Sequence, residues 1–234
     1  MQRPSDSVFV RRPARVLGPL ALSAALLLSG LAGCAAEPGA EPQAGGGADA
    51  ANAAAEGAGS DAGSGWLEVA GDHLCADEES VSIAADEASA VLTGPCGTVR
   101  VDGARVQANI ESAETVEVGG EGATILGDAW GTATVTAPGV SLNVTEVEEF
   151  TTSAPGTTLT NQRVGSVRID GQGAVLNGVE ATSAVLNGDG ATVLLSGSLG
   201  SLEIHGNGNS VSWVGGAESA AVDAGSGNTL DRRG

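Results

Sequence analysis

An apolar residue returns every 17 or 18 positions through most of this 234-residue chain. The series from Val81 runs Val99, Val116, Ala133, Phe150, Val167, Ala184, Leu202, Ala220. Repeats this short cannot bury an apolar face alone, so a fixed period with strand-like composition marks a solenoid of stacked coils. Two further columns keep the same step. One holds Ala108, Ile125, Leu142, Leu159, Leu176, Val193 and Val211; the other holds Cys96, Ala113, Trp130, Val147, Val164, Ala181, Leu199 and Ala217. Pairs such as Val99/Val101 and Val167/Ile169 add the apolar-polar-apolar alternation of a strand. Three columns per coil predict an all-β, single-stranded parallel β-solenoid (β-helix) with a triangular section and three short strands per coil. About nine coils stacked about 4.8 Å apart make a rod about 40 Å long. No strict six-residue period is present, and a right-handed coil is expected.

Turn residues fall between the columns. A small polar position follows the first strand: Asp102, Gly119, Thr136, Ser153, Asp170, Asn187, His205, Asp223. A glycine column comes next: Gly122, Gly139, Gly156, Gly173, Gly190, Gly208, Gly227. Glycine there supplies positive φ for a sharp corner. The same step predicts surface contacts. Glu146, Arg163 and Glu180 are 17 apart and should stack as a Glu-Arg-Glu ladder, as should Arg100 and Glu117; each stacked pair contributes roughly 0.2–1 kcal/mol.

The first residues carry Arg3, Arg11, Arg12 and Arg15 against one acid, Asp6, and an apolar run follows from Val16 to Leu31. At roughly 16 residues the run is shorter than the span of about 20 that crosses a bilayer. It ends in Leu31-Ala32-Gly33-Cys34, which looks like a bacterial lipobox. Residues 1–33 are expected to be a lipoprotein signal peptide. Acylated Cys34 would anchor the chain outside the cytoplasm, on the outer face of the cell membrane. Residues 34–65 are nearly all Ala, Gly, Ser, Pro and acids, a composition that cannot pack a core. They read as a flexible tether with a reach of roughly 30 Å. Residues 66–80 would cap the solenoid domain, 81–234.

With Cys34 given to lipid, Cys75 and Cys96 remain as a pair in an oxidising compartment. A disulfide there closes a loop of about 20 residues and contributes on the order of 3 kcal/mol. The rival reading is a metal site with His73, but two cysteines and one histidine fall short of a zinc set.

Charge narrows the functions further. The chain has no lysine; all ten basic residues are arginine, against 29 acids. Removal of the leader leaves six arginines against 28 acids, a net charge near −22. Nucleic-acid binding is excluded, since phosphate contacts need clustered basic groups. Anionic headgroups and anionic wall polymers should be repelled.

The stretches Gly206-Asn207-Gly208-Asn209-Ser210-Val211, Gly225-Ser226-Gly227-Asn228-Thr229-Leu230 and Gly94-Pro95-Cys96-Gly97-Thr98-Val99 resemble an uncharacterised domain family of actinobacterial exported proteins and lipoproteins. Its members repeat G-x-G-N-T-V units and carry a cysteine pair in the first coils. The resemblance covers about 75–234. Ala123, Val140, Thr157, Ala174 and Ala191 stand where that pattern has asparagine. The resemblance implies a β-solenoid at the cell envelope and no particular activity.

Catalysis needs convergent groups, and the period disperses the candidates. His205 occupies the polar turn column. Glu148 and Glu149, with Glu146 nearby, form an acidic corner of the kind that could hydrolyse glycosides only across a cleft. Trp130 and Trp213 fall in inward positions, which leaves Trp66 as the tryptophan expected to be exposed. A 17-residue coil fills its lumen with its own side chains, so no internal ligand site is expected. One outer column reads Thr98, Thr115, Thr132, Glu149, Ser166, Ser183, Ser201, Ser219. A second reads Gln107, Thr124, Ser141, Thr158, Val175, Thr192, Ser210, Thr229. Flat threonine arrays resemble ice-binding faces, but Leu126, Glu149, Val175 and Leu194 interrupt them, and the columns suit half-exposed strands. No catalytic residue, cofactor or metal is expected. The sequence supports a lipid-anchored envelope protein that binds or scaffolds a cell-wall component or another envelope protein. A polysaccharide-binding or polysaccharide-active β-helix and a self-associating structural protein are the alternatives.

Overall fold

The computed structural model describes residues 65–216 and 221–233, which belong to one compact unit. The expected signal segment 1–33, Cys34 and the expected tether as far as residue 64 lie outside the described residues, as do Ala217, Ser219 and Ala220. The 17–18 step fails in the last coil: Leu199 pairs with Gly216 rather than Ala217, Leu202 with Ala221 rather than Ala220, and Asp223 stands opposite Ile204 rather than His205, because two extra residues fall between Gly216 and Ala221.

Among the described residues the structure is strand and turn throughout. The first rungs are β1 (Leu67–Glu68), β2 (Asp72–Leu74) and β3 (Glu79–Ile83). Five long strands follow: β4 (Ser89–Val101), β5 (Gln107–Val118), β6 (Thr124–Val135), β7 (Ser141–Thr152) and β8 (Thr158–Ile169). Later coils divide into β9 (Val175–Gly178) and β10 (Glu180–Leu186), then β11 (Thr192–Leu195) and β12 (Ser198–Ile204). The last are β13 (Ser210–Trp213), β14 (Gly215–Gly216), β15 (Ala221–Asp223) and β16 (Thr229–Arg232). All pair in parallel with the neighbouring coil, making a β-solenoid of about nine turns.

The register carries the 17-residue step directly: Ala108 faces Ile125, Ala113 faces Trp130 and Val116 faces Ala133. Pairing between β5 and β6 falls in three blocks, 107–110, 112–113 and 115–118, while Glu111 and Glu114 sit outside the ladder. The three short strands of each middle coil are therefore three flat segments of one strand bent at two corners. The third corner is the turn that begins at Gly119. Residues 66–80 form a partial rung that stacks in the same way, with Leu67 opposite Val81 and His73 opposite Leu92.

The changes of step arise at the two bends. At the bend after Glu79 the pairing goes from 17 (Glu79 with Cys96) to 18 (Val81 with Val99), and at the equivalent bend after Leu199 it goes from 17 (with Gly216) to 19 (Leu202 with Ala221). At the other bend, between Leu92 and Pro95, the register shifts, so Leu92 pairs 18 residues on, with Ile110, and Pro95 pairs 17 on, with Ser112. Likewise Gly178 pairs with Leu195 but Ala181 pairs with Leu199. One extra residue is absorbed at that bend without disturbing either flanking face.

Inward side chains fill the lumen. In the coil starting at Gln107, Ala108, Ile110, Ala113, Val116, Val118 and Ala123 are all buried, and each large aliphatic contributes about 1.5–3 kcal/mol by leaving water. Trp130 fits because Gly127 lacks a side chain: a Cβ there would collide with the indole. Trp130 Nε1 donates to the Ile110 carbonyl at 3.1 Å.

The turn corner has two demands. Gly122, Gly139 and their equivalents hold φ near +70°, and each amide donates to the next coil, Gly122 to the Pro138 carbonyl at 3.0 Å and Gly139 to Pro155 at 3.2 Å. In the first two coils this position is Glu87 and Arg105, with φ of 57° and 56°, so non-glycine residues accept left-handed strain of order 1–2 kcal/mol there. A second small column, which includes Gly103, Gly120, Gly171, Gly188 and Gly206, packs against the carbonyl of the coil before it, and two middle coils place the small residues Ala137 and Ala154 there. A Cβ at Gly120 would run into the Gly103 carbonyl oxygen.

Candidate functional site

The N-terminal end brings together the residues of the rival metal reading. Cys75 and Cys96 form a disulfide, with Cα atoms 5.1 Å apart. His73 Nε2 lies 2.9 Å from Glu79 Oε2, and the ligand atoms of His73, Cys75 and Glu79 all lie within 4.8 Å of one another. The Cys75 sulfur is committed to Cys96, which removes the thiolate that zinc would require. What remains is a hydrogen-bonded pair. The bond from His73, with a second from the Ala76 amide, lowers the Glu79 pKa below its ordinary range.

On the long faces, charged residues meet across coils. Arg163 lies between Glu146 and Glu180 on adjacent rungs. Its Nη1 donates to Glu146 Oε1 at 2.8 Å, and its Nε lies 3.9 Å from Glu180 Oε2. Arg100 donates to Glu117 at 3.0 Å, and its guanidinium sits 4.5 Å above the centre of the Trp66 ring. Trp66 is thus half-buried beneath an arginine, where the sequence pointed to exposure. Asp170 accepts from Asn187 Nδ2 at 2.6 Å and from Arg168 Nε at 3.0 Å, and these bonds lower its pKa against the opposing effect of burial. Such exposed ladders are worth about 0–1 kcal/mol per pair; they fix register more than stability.

The acids Glu148 and Glu149 are exposed and line an open groove of about 680 Å³ with Glu114, Ser112, Thr132 and Ser166. Its lining carries three glutamates and no basic residue. His205 is exposed on its turn, held through its backbone amide, which donates to the Leu186 carbonyl at 2.8 Å. Trp130 and Trp213 are buried in the lumen, 2% and 7% exposed.

A different face is distinctive for its lack of charge. The column from Ser89 through Gln107, Thr124, Ser141, Thr158, Val175, Thr192 and Ser210 to Thr229 stands beside a second, formed by Val91, Asn109, Leu126, Asn143, Thr160, Asn177, Leu194 and Ser212. Between Val91 and Ser212 neither column contains an ionisable side chain, but Asp72 stands opposite Val91 one rung before. The second ends at Asp231, whose carboxylate accepts from Arg233 Nε at 3.0 Å. Val91, Leu126 and Leu194 are exposed on this face.

Behind it lies a polar residue that the column reading did not single out. Asn161 is 6% exposed, in line with the inward residues Ile110 and Val144, and neither its Oδ1 nor its Nδ2 has a partner. Gly178 follows one coil later, and a Cβ there would lie 2.7 Å from Asn161 Oδ1. The amide therefore occupies space that a larger residue at 178 would take. Asn161 and Gly178 line an open groove of about 400 Å³ with Thr160, Asn177, Leu194 and Arg233. A second groove on the same face, about 200 Å³, is lined by Val91, Asn109, Thr124 and Leu126 among others.

The asparagines of the last coils have a structural duty. Asn209 Oδ1 accepts the Ala191 amide at 2.6 Å, and Asn228 Oδ1 accepts the Asn209 amide at 2.7 Å. They tie consecutive turns together where the middle coils place Ala123, Val140 and Ala174 in the core instead. Compared with protein-family models, with curated proteins and with solved structures, the chain matches none.

Proposed function

We propose that this chain is a lipid-anchored cell-envelope protein that presents a rigid, acidic β-solenoid for non-catalytic binding or scaffolding. The observation that carries the reading is the filled lumen: Val, Ile and Leu columns occupy the interior along the coils, so a partner is met on the outside. The leader sequence, with its basic start, short apolar run and Leu31-Ala32-Gly33-Cys34 ending in that order, supports the anchor. The Cys75–Cys96 disulfide suits an oxidising compartment outside the cytoplasm.

The test is to express the full chain and its Cys34→Ala variant in a bacterium that processes lipoproteins. Labelled palmitate should enter the wild type alone. The wild type should fractionate with membranes and the variant with the soluble extracytoplasmic material. Membrane retention of the unlabelled variant would contradict the anchor. Turnover of cell-wall glycans by the purified protein would contradict the non-catalytic reading.

A further inference from the structure

We propose that His73, Cys75, Glu79 and Cys96 form a redox-gated zinc site, closed as a disulfide in this structure and opened by a dithiol reductant. The proposal stands apart from the lipid anchor and from the display reading.

Placement is the first argument. His73 pairs with Leu92, and Glu79 pairs with Cys96. Those two partners belong to buried columns that continue through Ile110 and through Ala113 and Trp130. In the first described rung the same two columns therefore carry an imidazole and a carboxylate, where aliphatic side chains would close the core without polar desolvation. Their side chains are 24% and 28% exposed, so a small dithiol and an ion reach them from solvent.

Distance is the second argument. The ligand atoms of His73, Cys75 and Glu79 lie within 4.8 Å of one another, and Cys96 Sγ is bonded to Cys75 Sγ. Zinc bonds of about 2.3 Å to sulfur and about 2.0 Å to nitrogen or oxygen set tetrahedral ligands roughly 3.3–3.7 Å apart. His73 Nε2 and Glu79 Oε2 are already 2.9 Å apart, and the two sulfurs part to about that range once their bond is broken. Shifts of about 1 Å per atom complete the set. The ladder keeps the backbones in place without the covalent link: His73 lies in β2, Glu79 opens β3, Cys96 lies in β4, and the Cys75 amide donates to the Thr93 carbonyl at 2.8 Å. Two thiolates and an imidazole suit zinc, and Glu79 supplies the fourth ligand that two cysteines and one histidine lack.

The chemistry balances. A thiolate of the dithiol attacks one cystine sulfur, and the S–S bond breaks with its electron pair on the other. The second thiol of the reductant resolves the mixed disulfide. Cys75 and Cys96 gain two electrons and two protons, and the reductant leaves as a disulfide. Zinc then displaces the two thiol protons. The His73 Nε2 proton passes through water to Nδ1, and zinc takes its place between imidazole and carboxylate.

The test uses the full chain with Cys34→Ala in detergent, so that Cys75 and Cys96 are the only cysteines. The protein is reduced with dithiothreitol, freed of it without air, and titrated with cobalt(II) and then zinc. The reduced form should bind one cobalt per chain with visible bands and a thiolate-to-cobalt charge-transfer band, and zinc should displace it. The oxidised form is equally acidic and should show no such band. His73→Ala and Glu79→Gln keep the disulfide, so their fold is checked in the oxidised state; each should weaken zinc binding by at least about tenfold in chelator competition. Glu148→Gln, on a distant corner, should leave it unchanged. A reduced protein without the thiolate–cobalt band, an oxidised protein with the same band, or undiminished affinity in either variant would each overturn the assignment.

Discussion

Replacing Asn161 by valine should stabilise this protein, although the change removes a polar side chain from its centre. The residue is 6% exposed and both amide atoms lack partners. A buried, unpaired polar group costs about 1–3 kcal/mol in desolvation, and an apolar replacement recovers it. Valine suits the position because the preceding coil carries Val144 there, and β-branched residues fit strands. Gly178 leaves room for the second methyl group. For a domain of this size each kcal/mol shifts the melting temperature by roughly 2–4 °C, so a rise of roughly 2–12 °C is expected. Thermal scans and urea midpoints of the two proteins give the comparison. A fall in both would refute the reasoning, because it would mean that the amide is satisfied in the folded protein in solution.

Three other outcomes follow from the geometry. Cys75→Ser with Cys96→Ser should cost about 3 kcal/mol, and hydrogen exchange should show the loss first in the rungs around β1–β3; protection unchanged there would contradict it. Gly120→Ala should lower stability by about 1–3 kcal/mol, since the new methyl group meets a backbone carbonyl in a packed corner; an unaltered urea midpoint would show that the coil spacing is softer than described. The depressed Glu79 pKa means that, on acidification, the unfolded chain takes up its proton first. Glu79 therefore contributes stability above its unfolded pKa, near the ordinary 4.5, and loses it as pH falls through the lower folded value. Glu79→Gln should flatten that part of the acid melting profile, and an unchanged acid slope would contradict the His73–Glu79 bond.

The architecture was legible because a stacked parallel sheet imposes one step on every column. That step alone places Arg163 between Glu146 and Glu180 and sends Trp130 and Trp213 inward. The bends were less legible. The extra residues near Gly94 and Gly197 appear in sequence only as a change from 17 to 18, and locating them required the ladder. Trp66 escaped because its cover, Arg100, lies outside the local stretch and two rungs away. Asn161 was accessible in principle: it stands two residues after Leu159, in phase with Ile110 and Val144, so period-2 alternation buries it. The uncharged face was half visible in the Gln107–Thr229 column, and its neighbour from Val91 to Ser212 needed the same two-residue extension. Lipidation rests on Cys34 and the leader alone.

The central claim is that consecutive 17-residue segments stack as rungs about 4.8 Å apart, and a pair of spin-label distances tests it most directly. In a Cys34→Ala background, labels at Thr115 and Ser201 lie five rungs apart in one outward column, and labels at Thr98 and Ser201 lie six apart. Pulsed dipolar measurements should give separations near 24 Å and 29 Å, differing by about one rung spacing. Equal distances, or a difference of two or more rungs, would contradict the stacked-coil account and the face-by-face reading built on it.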